Sequence, residues 1–321
     1  MPVASLAQPY GIASYIDYAT EEGDVDALRT SEDRFANLPG FSFRPHFSES
    51  LRRFSGLRMH WLDEGSSHAD DTFLCLHGQP TWSYLYRRMI PVFAGAGNRV
   101  VAPDFFGFGR SDKPVKDEVY TFDFHRNSLI DFIEMLDLKR ITLVCQDWGG
   151  LLGLTIPMDM PDRFKRVLLM NTALGTGDAP LTEGFVAWRA WSNAHPDMAV
   201  GRLLKRSCAH FSDAEAAAYD APFHDARSKA GVRRFPNLVP DRPDAPGAAL
   251  SRRARDWWQH EWHGRSFMAI GAADPVLGEP VMLQLRRTIR GCPPPLVLAD
   301  AGHFVQEWGD RVASAALEAF A

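Results

Sequence analysis

Residues 141–154 have the sequence ITLVCQDWGGLLGL, and the rest of the chain is organised around this stretch. Its first half is an apolar, β-branched run typical of a buried strand, and its last four residues begin a pattern typical of a buried helix. A sharp turn from strand to helix that presents a reactive side chain is a nucleophile elbow, usually with the pattern Gly-x-Ser-x-Gly. Here Asp147 occupies the nucleophile position, and only Gly149 matches the pattern. A carboxylate in that position can attack carbon without first losing a proton.

The length and composition of the chain are typical of a globular protein with a substantial core. The chain has 321 residues, of which 45% are hydrophobic and 23% charged, and its net charge is -5. Without a basic stripe, neither nucleic acid nor an anionic membrane is an expected partner. No apolar run reaches the roughly 18 residues of a spanning helix, and the N-terminus lacks a secretory pattern, so a cytoplasmic location is expected. The cysteines lack C-x-x-C spacing and are expected to be reduced, buried thiols: Cys75, Cys145, Cys208 and Cys292.

Strands and helices alternate along most of the chain, which predicts a mostly parallel sheet covered on both faces. Strands are predicted at 57–62, as an edge strand, and at 72–76, 99–104, 141–146, 166–171, 266–271 and 295–298. Helical spacing is present at 82–93, 122–138 and 304–320. The alternation stops between 175 and 250, where helical patches and prolines predict a helical cap. The expected organisation is an N-terminal extension at 1–25, a core at 26–174 and 251–321, and the cap.

Three ionisable residues follow predicted strands in the order Asp147, Asp274, His303. In open α/β sheets, sites form at the carboxyl ends of the strands, and this order is nucleophile, acid, base. Each residue alone has a simpler explanation, a helix cap or a loop residue, but their combination indicates a catalytic triad. The helix after Asp147 favours its ionised form, and the main-chain N–H groups of Trp148 and Gln79 could form an oxyanion hole.

Four motifs together resemble those of haloalkane dehalogenases: HGQPTWSYL at 77–85, DFFGFGRSDKP at 104–114, QDWGG at 146–150 and DAGHF at 300–304. The resemblance extends from about residue 26 to the end of the chain, and is strongest to the subfamily with its triad acid after the seventh strand. It implies an α/β-hydrolase fold, with a mostly parallel eight-stranded sheet, helices on both faces and a helical cap domain.

The resemblance also implies a role for each site residue. The nucleophile would be Asp147, the base His303 and its supporting acid Asp274, while Trp148 and Trp188 would bind halide through their indole N–H groups. The other subfamily places its acid after the sixth strand, where residues 170–174 contain no carboxylate.

The implied reaction is hydrolysis of a haloalkane to a primary alcohol, halide and a proton, through an alkyl ester on Asp147. Water is the only co-reactant, and no cofactor is expected. No metal is expected either, since HEWH at 260–263 lacks the His-Glu-x-x-His spacing. We expect a monomer, with an oligomer left open.

Other functions remain alternatives. Epoxide hydrolases share the elbow aspartate but resemble one another in having two cap tyrosines, whereas residues 175–250 contain only Tyr219. Fluoroacetate dehalogenases have arginines soon after the nucleophile, and here none occurs before Arg163. A serine esterase is excluded by Asp147, and the complete triad argues against a non-catalytic binding protein.

The sequence leaves open the role of Gln79 and the location of three apolar side chains. Many relatives have Glu where this chain has Gln79, and we interpret the amide as a third halide donor. The side chains of Leu151, Phe185 and Phe223 could line a substrate tunnel or simply belong to the core. Substrate chain length and halogen preference do not follow from the sequence.

Overall fold

The computed structural model describes residues 25–208 and 210–321. Nearly all of the predicted extension at 1–25 lies outside these residues. The strands are β1 (Ala27–Leu28), β2 (Pro45–Ser48), β3 (Met59–Glu64), β4 (Thr72–Leu76), β5 (Arg99–Pro103), β6 (Lys113–Pro114), β7 (Ile141–Gln146), β8 (Phe164–Met170), β9 (Arg265–Gly271) and β10 (Leu296–Leu298). The helices are α1 (Ile90–Gly95), α2 (Phe122–Met135), α3 (Trp148–Gly153), α4 (Glu183–Ala194), α5 (Val200–Ser207), α6 (Asp213–Asp220), α7 (Ala230–Arg234), α8 (Ala248–His260), α9 (Glu279–Thr288) and α10 (Gly309–Phe320).

The main sheet has eight strands in the order β10-β9-β8-β7-β4-β5-β3-β2. All neighbouring strands from β10 to β5 are parallel, while β3 is antiparallel to both β5 and β2. The predicted mostly parallel, eight-stranded sheet is therefore confirmed. In its centre, every residue of β4 and β7 is buried, which explains why both strands are nearly continuous apolar runs.

Two elements differ from the prediction. The strand predicted at the sheet edge is β3, and β2 lies outside it, with Phe47 paired to His60. The short Pro-His-Phe-Ser sequence of β2 has too little alternation to be recognised as a strand. The helix predicted at 82–93 is a 3-10 turn at Ser83–Tyr86 followed by α1. Here the Ser83 N–H donates to the buried Asp104 carboxylate at 2.7 Å, which draws the chain toward the end of β5.

Helices α4 to α7 lie between β8 and β9 in the chain and form the cap. Since α8 begins at Ala248, the predicted boundary at 250/251 falls inside this helix. Buried charges connect the cap to the core. Arg87, in the core, donates to both carboxylate oxygens of Glu307 and to Glu215 of α6, while Tyr219 of α6 donates to Glu307. Within the described ranges, no helix is both long and apolar enough to cross a membrane.

Candidate active site

The turn between β7 and α3 holds Asp147 in an unusual conformation, with φ 50° and ψ -126°. A non-glycine residue with positive φ is strained, and such strain is typical of functional sites. Two glycines leave the space that this turn needs: Gly149 within the turn, and Gly78 on the facing segment after β4. A Cβ at Gly78 would overlap the Asp147 carboxylate, and one at Gly149 would overlap the main-chain oxygen of Leu76. The elbow predicted from the sequence is therefore present. Gly78 leaves room for the Asp147 carboxylate, and Gly149 lets the start of α3 pack closely against the end of β4.

The structure brings Asp147, His303 and Asp274 together at the carboxyl ends of β7, β10 and β9. His303 Nδ1 lies 2.7 Å from Asp274 Oδ2, and its Nε2 lies 3.5 Å from Asp147 Oδ2. The Asp274 side chain is fully buried, whereas those of Asp147 and His303 are 17% exposed. The exposed fraction leaves Asp147 and His303 accessible to a small molecule, while Asp274 is shielded from solvent.

The charges in this group shift two pKa values in opposite directions. Burial of His303 lowers its pKa, but the carboxylates of Asp274 and Asp147 outweigh burial and raise it above the ordinary value. Burial of Asp274 raises its pKa, but His303 and the hydrogen bonds from Asn171 and Val276 lower it overall. The surroundings of His303 therefore favour its protonated form more than water does.

Main-chain donors surround the nucleophile. The Gln79 N–H donates to Asp147 Oδ1 at 2.7 Å, so one of the two predicted oxyanion donors already contacts the carboxylate. The other is the Trp148 N–H, which has no intrahelical acceptor because Trp148 is the first residue of α3. With Oδ1 bound, Oδ2 is the oxygen that faces His303.

Two residues that position the triad were not predicted. The Asn171 amide, just after β8, donates to Asp274 Oδ2 at 2.9 Å and to the Gly271 oxygen at 3.0 Å. The Gln146 amide, at the end of β7, donates to the main-chain oxygen of His303 at 3.1 Å. Both are polar residues at the end of an apolar strand, which is the signal that could have identified them.

A cavity of about 580 Å³ opens in front of the triad. Several predicted site residues line it: Gln79, Asp147, Trp148, Leu151, Phe185, Trp188, Asp274 and His303. Trp148 is buried, and its ring packs against Phe235, with the ring centres 4.7 Å apart. Among the described residues, neither the Trp148 nor the Trp188 indole N–H donates to a protein acceptor. Two donors in a largely apolar cavity suit a weakly hydrated anion.

The positions of three side chains bear on the predicted tunnel, halide and acid roles. Phe223 is not among the residues that line the cavity: it is buried, with its ring centre 6.5 Å from that of Phe108, so the structure assigns it to the core. Gln79 lines the cavity, but its amide donates to the Val232 oxygen of the cap at 3.0 Å, which uses one of the two N–H groups of the proposed halide donor. The cap tyrosine, Tyr219, is buried against Glu307 and does not line the cavity, so it is not positioned to protonate an epoxide there.

Comparisons with known proteins agree with this geometry. The α/β-hydrolase fold family matches residues 71–310. A haloalkane dehalogenase of Psychrobacter cryohalolentis is 44% identical over 296 residues, covering 89% of this chain and 95% of that protein. One from Mycolicibacterium paratuberculosis is 41% identical over 288 residues, covering 88% and 94%.

A solved structure extends the similarity to three dimensions. The haloalkane dehalogenase DpaA from Paraglaciecola agarilytica, whose structure is described as tetrameric, is 54% identical, with a TM-score of 0.90. The match covers 92% of this chain and 99% of DpaA. With the carboxylate elbow, the two indoles and relatives of this similarity over nearly the whole chain, the protein belongs to the haloalkane dehalogenase family.

Proposed function

We propose that this dehalogenase works through an alkyl ester on Asp147, which His303 hydrolyses with the support of Asp274. In the first step, Asp147 Oδ2 attacks the carbon that carries the halogen. A C–O bond forms as the C–X bond breaks, and the halide leaves with the bonding electrons. The indole N–H groups of Trp148 and Trp188 stabilise the charge that develops on the halide. A halide needs no proton, so no acid is required in the cap.

In the second step, His303 removes a proton from a water molecule that attacks Cγ of the ester. The negative charge develops on Oδ1, where the N–H groups of Gln79 and Trp148 stabilise it. The alkoxide leaves with the proton held by His303, giving the alcohol, and the new Asp147 carboxyl group releases a proton to solvent. The ester has no charge on Asp147, so one of the two carboxylates that raise the His303 pKa is removed when the base must act.

The observation that carries this proposal is that Asp147 lines the cavity with Oδ1 held by an N–H group and Oδ2 3.5 Å from His303 Nε2. A direct test compares bromide release from 1,2-dibromoethane with diol formation from styrene oxide. We expect the first reaction and not the second. Diol formation without bromide release would show that the carboxylate serves epoxide opening instead.

Replacing Trp148 or Trp188 by Phe should weaken bromide binding roughly ten-fold or more for each residue, because a hydrogen bond to a charged partner is lost while the ring is retained. Competitive inhibition of turnover by bromide measures the affinity. Trp257→Phe is the matched control, since Trp257 is buried outside the cavity. Equal bromide affinity in Trp188→Phe and the control would remove Trp188 from the halide site.

Replacing Gln79 by Glu should also weaken bromide binding. The carboxylate would remove the donor to the Val232 oxygen and add negative charge next to Asp147. Tryptophan fluorescence quenching by bromide measures the effect. Gln284→Glu, an exposed residue that lines the same cavity, controls for added charge alone. An affinity unchanged by Gln79→Glu would exclude the amide as a halide donor.

The assembly and the domain limits also stay as predictions. The sequence favours a monomer, while the related DpaA structure is described as tetrameric, so sedimentation equilibrium is the deciding measurement. The position of α4 to α7 supports a cap within 175–250, although its predicted C-terminal boundary falls inside α8.

A further inference from the structure

The cavity has an arginine at its opening that the reaction does not use. Arg206, in the last turn of α5, is exposed and yet lines the cavity, which puts it where the cavity meets solvent. Its guanidinium lies 5.5 Å from the centre of the Trp191 ring, within the range of a cation–π contact. Trp191 also lines the cavity, and it stacks on Trp188 at 5.5 Å. A continuous aromatic surface thus leads from the halide site to Arg206.

Of the two arginines among the described residues that line the cavity, Arg206 lacks an acidic partner, whereas Arg255 has one. Lys205 pairs with Asp213, Arg189 with Asp241 at 2.9 Å, and Arg255, which also lines the cavity, with Asp178 at 2.7 Å. In the part of the chain that the structure describes, no carboxylate forms an ion pair with Arg206. Its charge is therefore available to an anion in the cavity.

We infer that Arg206 binds the carboxylate of ω-haloalkanoates, so that the enzyme uses haloalkanes with an anionic terminus as well as neutral ones. The two ring contacts of 5.5 Å place the guanidinium at most about 11 Å from the Trp188 ring centre. Each bond advances an extended carbon chain by roughly 1.3 Å, since a C–C bond measures about 1.52 Å. A chain of up to about eight carbons then spans from the halide site to Arg206, with its methylene groups on the Trp188 and Trp191 rings.

The inference rests on the dehalogenation proposed above, and its test uses two substrates of equal length. One is 8-bromooctanoate, and the other is its methyl ester, which lacks the charge. Arg206→Gln should reduce the ratio of kcat/KM for the acid to kcat/KM for the ester by about five-fold, as expected for a solvent-exposed ion pair. The change should be in KM for the acid, because the carboxylate is far from the reacting carbon.

Arg202→Gln is the matched control. Arg202 is an exposed arginine one turn earlier in α5 that does not line the cavity, so its removal changes the net charge equally. An equal fall of the ratio in both variants would mean a long-range charge effect and would overturn the subsite. An unchanged ratio in Arg206→Gln would overturn it as well.

Two further outcomes separate the possible causes. If Arg206→Gln weakens inhibition by bromide and leaves the ratio of acid to ester unchanged, the arginine serves the product halide and the carboxylate subsite is wrong. If the wild-type enzyme releases bromide from 1,2-dibromoethane but from neither eight-carbon substrate, the subsite is wrong; if it releases bromide from none of the three, the dehalogenation itself fails. Bromide release from the ester without an Arg206 effect on the acid removes only the subsite.

Discussion

His303→Phe is expected to form the alkyl ester normally and to accumulate it, because the first chemical step needs only the Asp147 carboxylate and the halide donors. Steady-state turnover should fall by about 10⁴-fold, the upper range for loss of a general base. After incubation with a bromoalkane, intact-protein mass spectrometry should show one added alkyl group per chain. Peptide mapping should locate it on a fragment that contains Asp147.

Two controls make the trapping experiment decisive. Asp147→Asn in the His303→Phe background should show no adduct, because the nucleophile is gone. His263→Phe, which alters an exposed histidine outside the cavity, should turn over bromoalkanes like the wild type. If His303→Phe loses turnover without accumulating any adduct, hydrolysis does not pass through a covalent ester.

Asp274→Asn is expected to reduce turnover by about 10⁴-fold while ester formation continues. The Asp274 carboxylate accepts from Asn171 Nδ2 at 2.9 Å and from the Val276 N–H at 2.8 Å, and it contacts His303 Nδ1 at 2.7 Å. The amide that replaces this carboxylate has only one acceptor oxygen, so it cannot accept at both former oxygen positions. Its NH₂ group must then face one of these donors. When the NH₂ group faces His303, the imidazole must accept at Nδ1 and carry its proton on Nε2, which leaves Nε2 without a lone pair to act as a base.

The same variant should change the pH profile in a predictable direction. His303 must be neutral to accept a proton, so ester hydrolysis in the wild type is lost as pH falls below the His303 pKa of the ester. Asp274 is a main cause that raises this pKa, so Asp274→Asn should move the acidic limb to lower pH. Single-turnover hydrolysis against pH measures the limb. Asp300 is an exposed acid close to His303 in sequence, and Asp300→Asn should leave the acidic limb unchanged.

A limb that does not move in Asp274→Asn would contradict the assignment of Asp274 as the partner of His303. A limb that moves to higher pH would contradict it more strongly, since it would require a carboxylate at 274 to lower the pKa of the base. Rates of halide release in a single turnover separate either result from damage to the first step.

The central fold and the triad could be predicted because local sequence carried both signals. The strands β4, β7 and β8 are short and largely apolar, and a polar residue stands at the end of each strand or directly after it. Parallel strands place their carboxyl ends at one edge of the sheet, so residues that follow them in the chain meet in space. The positions of Asp147, Asp274 and His303 followed from that rule together with the family motifs.

What could not be predicted depends on contacts between distant segments. The edge strand β2 exists because β3 pairs with it, not because its own sequence favours a strand. The hydrogen bonds of Gln146 and Asn171 join residues at least 100 positions apart. The ring of Phe223 could face the cavity or the core with the same local sequence, and packing against Phe108 decides for the core.

The buried charges between core and cap make it difficult to exchange the cap of this enzyme for that of a relative. The Glu307 side chain of the core is fully buried and pairs with Arg87, also of the core. The cap adds two contacts to this pair: Tyr219 donates to Glu307, and Glu215 pairs with Arg87. A cap transplanted from a relative without these partners would leave the buried Arg87–Glu307 pair without its hydrogen bonds to Tyr219 and Glu215, and each buried polar group left unsatisfied costs about 1–3 kcal/mol. Changes of specificity in this enzyme are therefore more readily reached by substitutions within its own cap than by exchanging the cap as a module.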